Sequence, residues 1–144
     1  MVKVGDYEVP EGLYFSDDFE WIKVEGEKVR MGISDYAQKQ LREIVYIELP
    51  DEGTELFQNE PYGTLESVKA VSDLISALSG TIEKVNKEIQ SNPELLNTDP
   101  FGKGWLILLK PLKLEAEKRN LMNFDKAFFQ SPKIALATVL LVLE

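Results

Sequence analysis

The sequence contains neither cysteine nor histidine. Without thiols there is no disulfide, no thiolate nucleophile and no thiolate-bound metal. Without imidazole there is no Ser-His-Asp or Cys-His pairing, no zinc site of the usual kind, and no side chain that titrates near neutrality unless strongly perturbed. A catalyst built from this chain would have to work with carboxylates, lysines, hydroxyls and a borrowed cofactor. Basic residues are also scarce, 16 Lys+Arg against 25 Asp+Glu, for a net charge of −9. Proteins that grip a phosphate backbone present a basic face, and no basic residues interleave with aromatic ones here, so nucleic acid is not an expected partner. Long apolar runs are missing too. The longest, residues 134–143, is too short to cross a bilayer as a helix. The first residues, MVKVGDYEVPEG, contain no apolar signal core. The expected location is therefore the cytoplasm, which the lack of cysteine fits, with no membrane partner. Gly102-Lys103-Gly104 lacks the phosphate-loop spacing, no GxGxxG follows a strand, and no metal site is expected.

What is present is enough for one domain: 144 residues, 44% of them hydrophobic. Most of the first hundred residues read as short strands cut by turns. Residues 21–24 and 29–33 flank Glu25-Gly26-Glu27 as a hairpin. Ser34 is placed as the N-cap of a short helix running to about Leu41, with Tyr36, Ala37 and Leu41 at helical spacing. Strands are expected at 44–49, 62–68, 71–78, 81–85 and 105–110. A short helical or irregular passage falls at 86–97, and a loop rich in helix breakers at 99–104. After Pro111 the pattern turns helical, with Leu112, Leu114, Leu121, Met122, Phe124, Phe128 and Phe129 at mixed helical spacing. Ser131-Pro132 then reads as an N-cap with proline at the first helical position. Many short strands at close spacing predict a mainly β fold, a small antiparallel sandwich or barrel with helices outside it and at its C-terminal end.

One residue stands out chemically. Lys69 lies between two apolar strands, where Asn-Gly or Gly-Gly would be the usual hairpin choice. Most turn lysines are solvated charges and nothing more. A lysine held at a rigid hairpin tip, however, offers its amine to another protein's active site, the geometry needed for covalent attachment of a carried group. Its ordinary pKa is about 10.4, so an attaching enzyme would have to deprotonate it. Among the acids, Asp17, Asp18 and Glu20 cluster before Trp21, and composition alone leaves them as a solvated face.

These motifs resemble, in order, those of the glycine cleavage system H protein family of lipoyl carriers. The matching segments are YFSDDFEW at 14–21, MGISDYAQ at 31–38, IVYIELP at 44–50, ESVKAVSD at 66–73, SG at 79–80, EKVN at 83–86, PELLN at 93–97 and PFGKGW at 100–105. The similarity covers residues 13–110, more weakly to about 130, and ESVKA is its most specific element.

The resemblance implies a barrel-sandwich hybrid of antiparallel strands with peripheral short helices. Residues 1–130 would form the carrier domain. Residues 131–144, whose apolar stretch 134–143 lies outside the family's usual pattern, are expected as a helical C-terminal extension packed on the same domain, with contact to a partner or a second copy as the alternative. It implies that Lys69 carries covalently bound lipoate. A pyridoxal-phosphate glycine decarboxylase (P protein) would load an aminomethyl group onto the arm, and a tetrahydrofolate-dependent aminomethyltransferase (T protein) would remove it. A dihydrolipoyl dehydrogenase (L protein) would reoxidise the dithiol, and a lipoate-attaching enzyme would modify the lysine. The protein itself, expected to be a monomer, would catalyse nothing. The family's arm-binding cleft maps to Asp18, Glu20 and Asp73. Their carboxylates, Glu20 foremost, are expected to bind the aminomethyl ammonium by charge-assisted hydrogen bonds. Phe19 stands where the family usually has histidine, Arg42-Glu43 replaces its usual Gly-Asp or Gly-Glu, and a common proline is replaced near Ala77. Two other readings compete: a lipoyl carrier serving lipoate relay to other enzymes, and an interaction module that is never modified.

Overall fold

The computed structural model describes residues 2–123. Two short strands, β1 (Val2–Val4) and β2 (Tyr7–Val9), form an N-terminal hairpin. Then come β3 (Tyr14–Phe15), β4 (Glu20–Glu25), β5 (Lys28–Ile33), helix α1 (Asp35–Leu41) and β6 (Ile44–Glu48). After β7 (Glu55–Leu56), a hairpin of β8 (Pro61–Ser67) and β9 (Val71–Ile75) leads to β10 (Gly80–Val85). Two single-turn helices, α2 (Glu88–Ser91) and α3 (Leu95–Thr98), precede β11 (Ile107–Pro111). The described chain ends with α4 (Leu114–Glu117), a 3-10 turn and β12 (Met122–Asn123).

All the strand pairings described are antiparallel. They form a seven-stranded sheet in the order β12-β3-β4-β5-β11-β10-β7 and a three-stranded sheet in the order β6-β8-β9. The alternation that makes a half-buried strand is plain in β5, where Val29, Met31 and Ile33 point inward. One core joins the two sheets. Ile22, Met31, Ile82, Ile107 and Leu109 come from the larger, and Ile44, Ile47, Leu65 and Leu74 from the smaller. This is the mainly β arrangement expected from the strand spacing, and it is consistent with the barrel-sandwich hybrid that the resemblance implies.

The expected hairpin at 21–33 and the helix behind Ser34 form at their expected places. Ser34 Oγ accepts the Ala37 N–H at 3.1 Å, the N-cap bond that starts α1. The N-terminal hairpin is tied to this helix through Asp35, whose carboxylate accepts the Glu8 N–H at 2.8 Å and pairs with Lys39 at 2.9 Å.

Two expectations need correction. The strand expected to run to Leu78 stops at Ile75. There the chain turns, with Ser76 N–H on the Glu60 carbonyl at 2.9 Å and Ala77 N–H on the Glu20 side chain at 3.0 Å. Ser76 still pairs with the chain just before β8, and the ladder breaks at Ala77, whose amide goes to Glu20. Among the described residues, the helical pattern after Pro111 is limited to one α-helical turn and a 3-10 turn. Ser79 takes both carboxylate oxygens of Glu117, through its N–H at 2.8 Å and its hydroxyl at 2.7 Å. The chain then straightens so that β12 covers the free edge of β3. Leu112, read as part of the helix's apolar face, is 71% exposed. The helix cap at Ser131-Pro132, the apolar residues from Phe124 onward, the domain boundary at 130 and the extension 131–144 all lie outside the described residues.

Trp21 anchors the larger sheet. It is 1% exposed, and its indole N–H donates to the Pro100 carbonyl at 2.9 Å. Across the ladder it faces Gly32, where an added Cβ would stand 2.6 Å from the indole ring. Glycine is needed here for space. Gly32→Ala should therefore cost about 1–3 kcal/mol, the usual range for overpacking a close-packed core, read as a lower urea midpoint. An unchanged midpoint would show that the indole is free to move.

Candidate functional site

Lys69 is exposed at the turn between β8 and β9. The turn is held by Ser67. Its hydroxyl accepts the Lys69 N–H at 3.2 Å and the Ala70 N–H at 3.1 Å, and donates to the Ala70 carbonyl at 3.2 Å. One proton and two lone pairs are thus all in use. The Ser67 N–H bonds the Ala70 carbonyl at 2.8 Å, and the Val68 N–H reaches the Glu43 carbonyl at 3.0 Å, just ahead of β6. All four turn amides are occupied, and neither Val68 nor Lys69 has a positive φ. The hydroxyl does locally what Asn-Gly does elsewhere by backbone freedom. Among the described residues, no ion pair engages the lysine amine.

Asp18, Glu20 and Asp73 line one cleft of about 210 Å³, bounded by the turn before β4, by α1 and by the β8–β9 hairpin. Lys69 is not in its wall. It lies at the tip of the same hairpin, four residues before Asp73, or about 13 Å along an extended strand. Asp18 and Asp73 are exposed. Partial burial, and after it the neighbouring Asp17 charge, raises the Asp18 carboxyl above its ordinary value. Phe19 and Tyr36 form an aromatic wall, with ring centroids 4.9 Å apart. None of the described residues lining the cleft is basic.

Glu20 is placed by a tight turn. Ser16 N–H bonds the Glu20 carbonyl at 2.9 Å, Glu20 N–H bonds Ser16 Oγ at 3.1 Å, and Phe19 N–H bonds the Ser16 carbonyl at 3.0 Å. Closing this turn puts Phe19 at φ 62°, a left-handed conformation that costs a non-glycine residue about 1–2 kcal/mol. The Phe19 carbonyl in turn accepts the Ser34 N–H at 3.0 Å, which ties the turn to the cap of α1. Glu20 then enters β4 with its side chain inward and is 3% exposed. One carboxyl oxygen accepts the Ala77 N–H at 3.0 Å, and the other accepts the Tyr62 hydroxyl. Burial pushes its pKa up to about 8, with Asp18 adding to the rise, while the two hydrogen bonds hold it down.

The three acids expected in one cleft do share one, but they are not alike. Asp18 and Asp73 are solvated carboxylates at its mouth. Glu20 is a buried carboxyl, and burial raises its pKa to about 8. Sequence reasoning missed Tyr62, which it read only as a strand residue, and Ser67, whose hydroxyl orders the tip. A serine two residues before an isolated turn lysine was the available signal for Ser67. Tyr62 had no local signal, because its partner is 42 residues away.

Comparison with known proteins gives one consistent result. Residues 13–130 match the family model described as glycine cleavage H-protein. The chain is 47% identical over 117 residues to the glycine cleavage system H protein of Geobacillus thermodenitrificans, covering 81% of this chain and 91% of that one. It is 44% identical over 127 residues to the probable glycine cleavage system H protein of Pyrococcus horikoshii, covering 88% and 94%. The crystal structure of a glycine cleavage system H protein from Mycobacterium marinum superposes with a TM-score of 0.69 at 37% identity, over 72% of this chain and 86% of that one.

The buried carboxyl makes stability depend on pH. Folded Glu20 keeps a proton that the unfolded chain releases near its ordinary value of 4.5. Between there and about 8 the native state binds more protons, so this group's contribution to stability is full below 4.5 and is lost as pH rises. The loss runs at up to about 1.4 kcal/mol per pH unit. Glu20→Gln cannot ionise, so urea unfolding at pH 5, 6.5 and 8 should show the variant gaining on the wild type at each step. Parallel stability profiles would contradict the burial of an ionisable group here.

Proposed function

The chain belongs to the glycine cleavage H-protein family, lipoyl carriers that catalyse no step themselves, and we propose that this chain's lipoyl group is attached through an amide to Lys69. The observation that carries this reading is the ordered, glycine-free tip, which holds out from the sheet a lysine that no ion pair engages among the described residues. An attaching enzyme meets an amine in a fixed place, and no carboxylate has to be released from it. Acylation removes one positive charge, taking −9 to −10.

Bound lipoate supplies a dithiolane that takes up an aminomethyl group and gives it up again. The partners that fit this chemistry are a pyridoxal-phosphate glycine decarboxylase, a tetrahydrofolate-dependent aminomethyltransferase, a dihydrolipoyl dehydrogenase and the lipoate-attaching enzyme. Each must reach the hairpin tip. Val68 and Val71 beside the lysine are 64% and 68% exposed, and Val45 and Tyr46 on the adjoining strand are each 49% exposed. This apolar shoulder on an acidic protein suits repeated, reversible docking. Tethering replaces a diffusive search at each transfer by a high local concentration.

Between enzymes, the aminomethyl ammonium would rest in the acid-lined cleft. A lysine side chain extended by an octanoyl-length chain spans the short distance from the tip to Asp73. The cleft offers two solvated carboxylates and one buried carboxyl, with no competing cation in its described wall. The aromatic pair Phe19–Tyr36 limits water on one side.

Intact mass decides the attachment. Protein made in cells supplied with lipoate should carry one lipoyl-amide increment, located to Lys69 by peptide fragmentation and absent from Lys69→Arg. An increment that survives in Lys69→Arg, or no increment in the wild type, would overturn the proposal. The second outcome would favour an unmodified interaction module.

A further inference from the structure

The mechanism just described uses Glu20 but leaves its second partner unexplained. Tyr62 stands on β8, half-buried, and its hydroxyl donates to the Glu20 oxygen that Ala77 does not hold. We propose that Tyr62 is a positioning residue that acts through Glu20, holding the buried carboxyl at the base of the cleft and setting how readily it becomes an anion for the arriving ammonium. The proposal rests on the reading of the cleft as the ammonium's resting place.

The geometry is specific. The Ala77 N–H alone fixes one oxygen and leaves the carboxyl free to swing about that bond. A second donor on the other oxygen, from a different strand, fixes the plane of the group. Each oxygen keeps one further lone pair, so a cation can still be met. Both donors favour the ionised form, because each strengthens as negative charge develops on the oxygen it holds. The other groups around Glu20 oppose ionisation or are neutral. Asp18 on the preceding turn and Asp73 on β9 are acids, Tyr36 and Gln40 on α1 are uncharged, and no lysine or arginine is present in the described cleft wall. Tyr62 is therefore the one side chain in this set that pulls Glu20 toward the anion before a ligand arrives. Glu20 in turn holds the phenol well above its ordinary value, after burial, so the phenol stays a donor throughout.

The position also couples two sheets. Glu20 belongs to the seven-stranded sheet and Tyr62 to the three-stranded sheet whose hairpin ends at Lys69. The hydrogen bond across the core thus links the base of the cleft to the strand that bears the attachment point.

The test is Tyr62→Phe, which removes one oxygen and keeps the ring. Glu20 ionisation is followed by the carbon-13 shift of its side-chain carboxyl in the unmodified protein, and ammonia release from the aminomethyl-loaded carrier is timed across the same pH range. The Glu20 midpoint should rise by about one unit, the worth of one hydrogen bond to a charged group. The pH above which the loaded form is protected should rise with it, so that release at a fixed pH between the two midpoints is about two- to fivefold faster. In a Glu20→Gln background, Tyr62→Phe should change release no further. A Glu20 midpoint that stays put overturns the inference, whether or not the loaded arm docks. A midpoint that rises while release ignores pH in both proteins supports the Tyr62–Glu20 coupling and overturns instead the use of Glu20 by the arm.

Discussion

Much of this molecule is organised around a carboxyl taken out of water at the start of β4. Glu20 satisfies its two oxygens with donors from distant parts of the chain, the Ala77 amide and the Tyr62 hydroxyl. An unpaired buried carboxyl would cost several kcal/mol, so the elements that supply these donors cannot drift from β4. The turn after β9 is bent to present Ala77, and β9 ends early for that reason. The turn before β4 accepts a left-handed Phe19 to deliver the side chain inward. Phe19 then gives its carbonyl to Ser34, the cap of the helix that forms the cleft's far wall. One buried acid thereby fixes the cleft's base and, through its neighbours, two of its sides.

The tip that carries Lys69 follows the opposite logic. Its residues Val68 to Ala70 are exposed, and apart from the Val68 amide, held by the Glu43 carbonyl, its hydrogen bonds are local. A tight turn built on glycine would be permissive, whereas Ser67 saturates the turn with hydrogen bonds and leaves ordinary backbone angles. For the attachment proposed at Lys69, an immobile backbone would present the amine to a modifying enzyme while the side chain stays free to swing. The arrangement separates the two requirements within four residues.

Local features were the ones legible in the sequence. The hairpin around Gly26, the Ser34 cap and the lysine between two apolar strands each depend on residues within a few positions, and each forms as read. The resemblance added what spacing could not, bringing Asp18, Glu20 and Asp73 to one cleft. What stayed illegible has one physical cause, partners far apart along the chain. Whether Glu20 is a surface acid or a buried one depends on Ala77 and Tyr62, 57 and 42 residues on. The apparent helix after Pro111 was undone in the same way, since Ser79 captures Glu117 and the edge of β3 recruits Met122 and Asn123. Apolar spacing records a face to be buried. It does not record which distant donor will outbid the helix for a backbone or carboxylate.

The absence of cysteine and histidine takes on a sharper meaning beside this site. With no imidazole or thiol, the chain offers no side chain whose ordinary pKa lies near neutrality. Burial creates one from a glutamate, raised to about 8. A carrier benefits from both facts. No internal thiol can exchange with a dithiolane, and no histidine stands by to shuttle protons to the cargo. The raised carboxyl, by contrast, would be drawn toward its anion by an ammonium placed beside it, since an adjacent opposite charge favours the charged form. On the proposed reading of the cleft, the charge that meets the cargo would be strongest when cargo is present. An exposed carboxylate lacks this property: it binds water and salt cations equally well in the absence of its ligand.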